Sequence, residues 1–139
     1  MAARILIVDD EPDIDRLIRQ RFRKRIRAGD YAFVYAENGL EALAVLESDP
    51  AIDLVVTDIR MPEMDGLTLI ERINERFPHL RAIVVSAYGD LANIRKAMNL
   101  GAFDFVTKPI DFVDLEATIE KLLREMVTIR EAARAGELS

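Results

Sequence analysis

The sequence contains no cysteine. That absence excludes thiol nucleophiles, disulfides, zinc–thiolate sites and iron–sulfur ligation together. Glycine is sparse, and Gly29, Gly39, Gly66, Gly89, Gly101 and Gly136 never form a Gly-x-Gly pair. Dinucleotide and P-loop fingerprints are therefore missing, as is a Gly-x-Ser-x-Gly nucleophile elbow. Unbroken apolar runs fall far short of the ~20 residues that span a bilayer. Met1 to Val8 lack the apolar core and cleavage pattern of a signal peptide. These absences lead us to expect a soluble, cytoplasmic protein without a membrane role.

What is present is a chain of 139 residues, 50% hydrophobic and 32% charged, with net charge −6. That length suits one domain able to bury about two-thirds of its unfolded surface without a disulfide or metal. The charge is divided. Arg16, Arg19, Arg21, Arg23, Lys24, Arg25 and Arg27 are seven basic residues in a stretch with no acid, leaving −13 for the rest. This excludes a uniformly basic nucleic-acid binder but not a local basic face.

Apolar runs alternate with helical patterns. Arg4-Ile5-Leu6-Ile7-Val8 has no polar alternation, the mark of a strand buried on both faces. Similar runs recur at Tyr31–Ala36, Asp53–Thr57, Arg81–Ser86 and Ala102–Thr107. Between them, Ile14, Leu17, Ile18, Phe22 and Ile26 keep helical spacing behind Pro12. Asn38-Gly39-Leu40-Glu41 resembles a capping box ahead of Leu40, Leu43, Ala44 and Leu46. Leu67, Leu69, Ile70, Ile73 and Phe77 mark a third helix closed by Pro78. Asp90 is placed to cap a fourth, ending near Gly101, and Asp111 a fifth from Phe112. Five strands alternating with five helices imply a parallel sheet covered on both faces.

Ligands of such sheets bind beyond the carboxyl ends of the strands. Asp9, Asp10 and Glu11 follow the first strand, Glu37-Asn38 the second, Asp58 the third, Ser86 the fourth and Lys108-Pro109 the fifth. Carboxylates converging on one edge repel one another, and a hard cation such as Mg²⁺ relieves that repulsion. Lys108 and the Ser86 hydroxyl add a place for a tetrahedral anion. Phosphoryl transfer needs this combination, with Asp58 as nucleophile. Lys108 is one of four lysines against fifteen arginines. Asp65 is read as supporting its own loop, and the single histidine, His79, as a solvated loop residue that supplies no phosphodonor near the site.

The runs Ile5-Leu6-Ile7-Val8-Asp9-Asp10-Glu11-Pro12 and Thr57-Asp58-Ile59-Arg60-Met61-Pro62-Glu63-Met64-Asp65-Gly66, then Ser86-Ala87 and Lys108-Pro109, resemble the receiver domain of bacterial two-component response regulators. The resemblance covers about residues 4–125, with all motifs in order. It implies an α/β, flavodoxin-like (βα)5 fold. This is a doubly wound five-stranded parallel sheet of order 2-1-3-4-5, here with an extended C-terminal helix. Residues 1–125 would form the receiver and 126–139 a helical extension or linker.

By that resemblance the chain is a regulatory phosphoacceptor rather than an enzyme in its own right. A partner histidine kinase or histidine phosphotransfer domain would pass a phosphoryl group to Asp58. Mg²⁺ would be ligated by Asp10, Asp58 and the backbone carbonyl of Arg60, with Asp9 holding a metal-bound water. Lys108, joined to Pro109 by a cis peptide bond, would pair with phosphoryl oxygens, and Ser86 would turn onto one of them. Phe105 matches the aromatic that rotates with this movement, lacking the hydroxyl of the more usual tyrosine. Arg60 and Tyr88 would flank the pocket and slow water attack. The readout surface would be the fourth helix, fifth strand and fifth helix.

Two other functions remain open on the residues alone. A Mg²⁺-dependent phosphatase with an aspartate nucleophile commonly carries a second Asp two residues later, where this chain has Arg60. A phosphorylation-independent binding module would not need Asp10, Asp58, Ser86 and Lys108 together. In the tail, Leu115, Ile119, Leu122, Met126, Ile129 and Ala133 keep heptad spacing. The first three read as core, and the rest as a seam for a homodimer or a lead to an output domain. No helix-turn-helix follows, so direct nucleic-acid binding is not expected. The basic first helix is either a solvated face or a docking face that selects an acidic partner by association rate.

Overall fold

The computed structural model describes the backbone of residues 2–87 and 89–138, and side chains as far as residue 127. Its strands are β1 (Ala3–Val8), β2 (Tyr31–Ala36), β3 (Leu54–Asp58), β4 (Arg81–Ala87) and β5 (Asp104–Lys108). They form one parallel sheet in the order β2-β1-β3-β4-β5, the order the resemblance implied. The helices are α1 (Pro12–Arg21), α2 (Arg23–Arg27), α3 (Gly39–Ser48), α4 (Gly66–Arg76), α5 (Leu91–Asn99) and α6 (Phe112–Leu138).

The strands read as continuous apolar runs because both faces of the sheet are covered. Leu6, Val8, Val55 and Val84 point to one side, against Leu43 and Leu46 of α3, Leu69, Ile70 and Ile73 of α4, and Ala97 of α5. Ile5, Ile7, Leu54, Val56, Ile83 and Val106 point to the other, against Ile18 of α1 and Leu115, Ile119 and Leu122 of α6. Neighbouring positions on a strand face opposite ways, so two cores flank one sheet.

The expected first helix is broken in two. At Phe22 the backbone leaves helical angles (φ −99, ψ 20). The buried ring packs against Tyr31, Phe33 and Phe112 at centroid distances of 5.7, 5.9 and 6.3 Å. The hydrophobic spacing runs through this break, so periodicity gave no warning of it. The apolar stripes also need correction. Leu17 is 43% exposed and Leu40 52% exposed, while on α3 Ala42 is buried and Ala44 is not. The last strand begins at Asp104 rather than Ala102.

Helix entrances follow local chemistry in three cases. Asn38 Oδ1 accepts from Glu41 N at 2.9 Å and Asp65 Oδ1 from Thr68 N at 2.9 Å. Asp111 Oδ1 accepts from Val113 N and Asp114 N at 3.0 and 3.2 Å. Asp65 thus supports its loop, as expected. Asp90 occupies the cap position of α5 but makes no cap hydrogen bond, contrary to expectation. At the far end of that helix Gly101 has φ +105, a backbone conformation suited to glycine.

Candidate functional site

Parallel register brings the site residues level. Val8 pairs with Thr57, Thr57 with Val84, Asp58 with Val85, and Ala87 with Lys108. The residues at and just beyond these strand ends therefore share one edge of the sheet. There Asp10, Glu11, Asp58, Ile59, Arg60, Ser86, Ala87, Asp90 and Lys108 line a cavity of about 240 Å³. Carboxylate oxygens of Asp9, Asp10 and Asp58 lie within 4.8 Å of one another. These are hard oxygen donors without histidine or thiolate, a set suited to an oxygen-seeking divalent cation. The residues present therefore fit a metal.

Lys108 Nζ donates to Asp58 Oδ2 at 3.0 Å and to Asp9 Oδ2 at 3.3 Å. Asp9 is buried, and burial is the main force pushing its carboxyl above the ordinary range. The Glu11 N–H and Lys108 oppose that shift, and the Asp58 charge adds to it. Burial alone would pull Lys108 down. The hydrogen bond to Asp58 and the charges of Asp58 and Asp9 outweigh it, so the ammonium is held above its usual value. Within the pocket the Lys108 ammonium is thus shared by the two buried carboxylates of Asp9 and Asp58, with exposed Asp10 alongside.

Loop geometry fixes this arrangement. Asp9 Oδ1 accepts from Glu11 N at 2.8 Å. Tyr35 Oη donates to the Asp9 carbonyl at 2.6 Å, and burial chiefly pushes the Tyr35 phenol up to about 12. After β3 the chain doubles back so that Gly66 N donates to the Ile59 carbonyl at 2.7 Å. A Cβ on Gly66 would overlap the Asp58 carbonyl oxygen and sit 2.8 Å from Ile59 Cα. Glycine is needed there because the loop closes directly on the backbone of Asp58.

Of the residues expected from sequence, Asp58, Ser86 and Lys108 line one cavity with Asp10 and Arg60. Asp9 joins them through Lys108, and the Lys108–Pro109 peptide bond is cis. Phe105 is 38% exposed. Tyr88 lies outside the described residues. Sequence reasoning missed Tyr35, which nothing in a strand pattern marks. It also missed Asp90 as a member of the pocket. Asp90 Oδ2 accepts from Ser86 Oγ at 3.4 Å and lies 3.8 Å from Arg60 Nη2.

The basic run also divides. Arg16 pairs with Asp13, and Arg19 Nε donates to Asp15 at 2.9 and 3.0 Å. Arg25 reaches Glu116 at 3.0 Å, and Arg21 sits 5.2 Å over the Phe112 ring. Exposed Arg23, Lys24 and Arg27 have no acidic partner among the described residues.

The sequence matches the family described as the response regulator receiver domain over residues 5–120. It is 36% identical over 123 residues to the transcriptional regulatory protein GlrR of Escherichia coli K12, covering 88% of this chain and 27% of that protein. It is 34% identical over 123 residues to sporulation initiation phosphotransferase F of Bacillus subtilis, covering 88% of this chain and 95% of that protein. A response regulator receiver domain protein from Methanospirillum hungatei superposes with a TM-score of 0.82 at 30% identity, covering 92% of this chain and 98% of that one. The chain spans about a quarter of the length of several curated relatives.

Proposed function

The chain belongs to the response regulator receiver family, and from that premise we propose that Asp58 is the phosphoacceptor for a partner histidine kinase or histidine phosphotransfer domain. The observation that carries this reading is the Lys108 ammonium, 3.0 Å from Asp58 and 3.3 Å from Asp9, at an edge where three carboxylates converge. An Asp58 oxygen attacks phosphorus, the phosphorus–nitrogen bond to the donor imidazole breaks, and the imidazole departs with the bonding pair. The product is an acyl phosphate.

Asp10, Asp58 and the Arg60 carbonyl would hold Mg²⁺, with Asp9 reaching it through water. The bound ion would neutralise phosphoryl oxygens beside the carboxylates. Lys108 transfers its charge from the free carboxylate to the phosphoryl group, and Ser86 offers its hydroxyl. Arg60, 79% exposed at the mouth, restricts water and lengthens the life of the phosphoaspartate.

The output face is α5, β5 and α6, which presents exposed Leu91, Met98, Phe105 and Val113. This is the fourth-helix to fifth-helix surface of the sequence reading, renumbered because the first helix is two. Phosphorylation rotates Phe105 inward and changes that surface. α6 runs on past the receiver, from Phe112 to Leu138. Residues 126–139 form the extension that meets a second copy or an output domain. The side chains of Ile129 and Ala133 lie outside the described residues. The docking face for the partner is the outer face of α1, which begins beside the pocket at Pro12, while exposed Arg23, Lys24 and Arg27 extend its positive charge toward the opposite end of the strands. No described helix is long and apolar enough to cross a membrane, and a cytoplasmic location is consistent with kinase partnership.

Incubating the full chain with acetyl phosphate and Mg²⁺ is expected to add the mass of one phosphoryl group, and Asp58→Asn to abolish that gain. Steady turnover of a small phosphate ester would replace this reading with a phosphatase. Absence of any reaction would replace it with an inert binding module.

A further inference from the structure

The uncapped start of α5 is the feature that the phosphoacceptor reading leaves unused. Asn38 and Asp65 open α3 and α4 by accepting the backbone N–H three residues on. Asp90 stands at the same position before α5, yet its carboxylate is directed elsewhere. Oδ2 takes the Ser86 hydroxyl at 3.4 Å and faces Arg60 Nη2 at 3.8 Å, while Asn93 Nδ2 lies at 3.0 and 3.2 Å from the two oxygens. The backbone at Asp90 (φ −82, ψ 55) also departs from the extended geometry of Asn38 and Asp65.

Two of those donors belong to the pocket. Ser86 is buried at the end of β4, and Arg60 lies two residues beyond Asp58. A phosphoryl group on Asp58 carries more negative charge than the Asp90 carboxylate and attracts the same hydroxyl and guanidinium. We infer that Asp90 is a two-position positioning residue: it holds Ser86 and Arg60 while Asp58 is free, and caps the first turn of α5 once the phosphoryl group has taken them. The inference rests on the phosphoacceptor reading and adds the route from Asp58 to the output face. Capping draws the first turn of α5 into the geometry already seen in α3 and α4. Leu91, 71% exposed on that turn, moves with it.

The test uses backbone amide exchange at Ala92 and Asn93 in the full chain, with Mg²⁺, before and after addition of beryllofluoride as a phosphoryl mimic. Acetyl phosphate labelling is measured in parallel. In the unaltered protein beryllofluoride is expected to slow exchange at Asn93 by about fivefold, the size of one helix cap. Asp90→Ala, compared at saturating beryllofluoride, should lose that slowing. Asp90→Asn, which can still cap, should restore it and show part of it without the mimic, because Arg60 no longer holds it electrostatically. Labelling with unchanged exchange at Asn93, or equal slowing in Asp90→Ala, overturns this inference alone. No labelling of the unaltered chain overturns the phosphoacceptor reading, and this inference falls with it.

Discussion

The two edges of the sheet handle charge in opposite ways. At the amino edge, Arg4 Nε meets Asp49 at 2.7 Å, and the Arg4 N–H reaches Asp53 at 2.8 Å. Arg25 joins Glu116 and Glu120 of α6 at 3.0 and 3.7 Å, and Tyr31 Oη donates to Glu120 at 2.7 Å. These acids have donors, and Glu116 and Glu120 keep about a third of their side chains in water. Solvent carries part of the load. At the carboxyl edge, buried Asp9 and Asp58 share a single ammonium, with Asp10 beside them. The amino edge ties α2, β2 and α6 into a frame. The carboxyl edge concentrates charge that a bound cation or a phosphoryl group rearranges.

Glycine substitutions should separate the edges most sharply. Gly66 and Gly29 lie at opposite ends of the strands. Gly66→Ala forces its Cβ into the Asp58 carbonyl. We expect a loss of about 2–3 kcal/mol and a fall in acetyl phosphate labelling of at least about tenfold, because the nucleophile is displaced. Gly29 has φ +77 and open space where a Cβ would go, so Gly29→Ala should cost only about 1 kcal/mol of strain. Its labelling should be unchanged. Denaturant titration with labelling measures both, and equal labelling losses would remove the distinction between the edges.

The carboxyl edge was also the more legible one in the sequence. Asp9, Asp10, Asp58, Ser86 and Lys108 each follow an apolar run, so knowing where strands end places them together without side-chain detail. The fold was legible for the same reason: strands buried on both faces carry no polar alternation. What escaped depends on partners distant in the chain. Asp90 before a helical pattern reads as a cap, and only the fold brings it near Arg60. Tyr35 fits a strand residue equally well whether or not its hydroxyl reaches the Asp9 carbonyl. The break at Phe22 lies in its backbone angles (φ −99, ψ 20), which helical spacing does not encode.

Removing one polar group should have opposite signs at the two edges. Asp9 titrates above the ordinary carboxylate value of 3.8, chiefly because of burial. Its ionised form therefore costs the folded state. That cost is absent below 3.8 and fully present once the pH exceeds the raised folded value. Asp9→Asn should stabilise the metal-free protein at neutral pH by about 1 kcal/mol, raising Tm by about 3 °C. The gain should vanish as the pH falls toward the ordinary carboxylate value, and the stabilisation that Mg²⁺ adds should shrink. Melting curves with and without Mg²⁺ across that range check all three. A lower Tm for Asp9→Asn at neutral pH would mean that Lys108 already compensates the buried charge in full.

At the amino edge, Tyr31→Phe removes one hydrogen bond to Glu120 and leaves the buried ring in place. A loss of about 1 kcal/mol is expected. Burial first, and Glu120 next, hold the Tyr31 phenol well above its usual range. The hydroxyl therefore remains a donor throughout mildly acidic to mildly basic solution, and the loss should be nearly constant between about pH 6 and pH 9. Labelling of Asp58 and the effect of Mg²⁺ on Tm should be those of the unaltered chain. A loss that varied with Mg²⁺ would show that the frame around α6 and the charged pocket are coupled through the sheet. The smallest of these changes is thus the most direct measure of whether the two edges act independently.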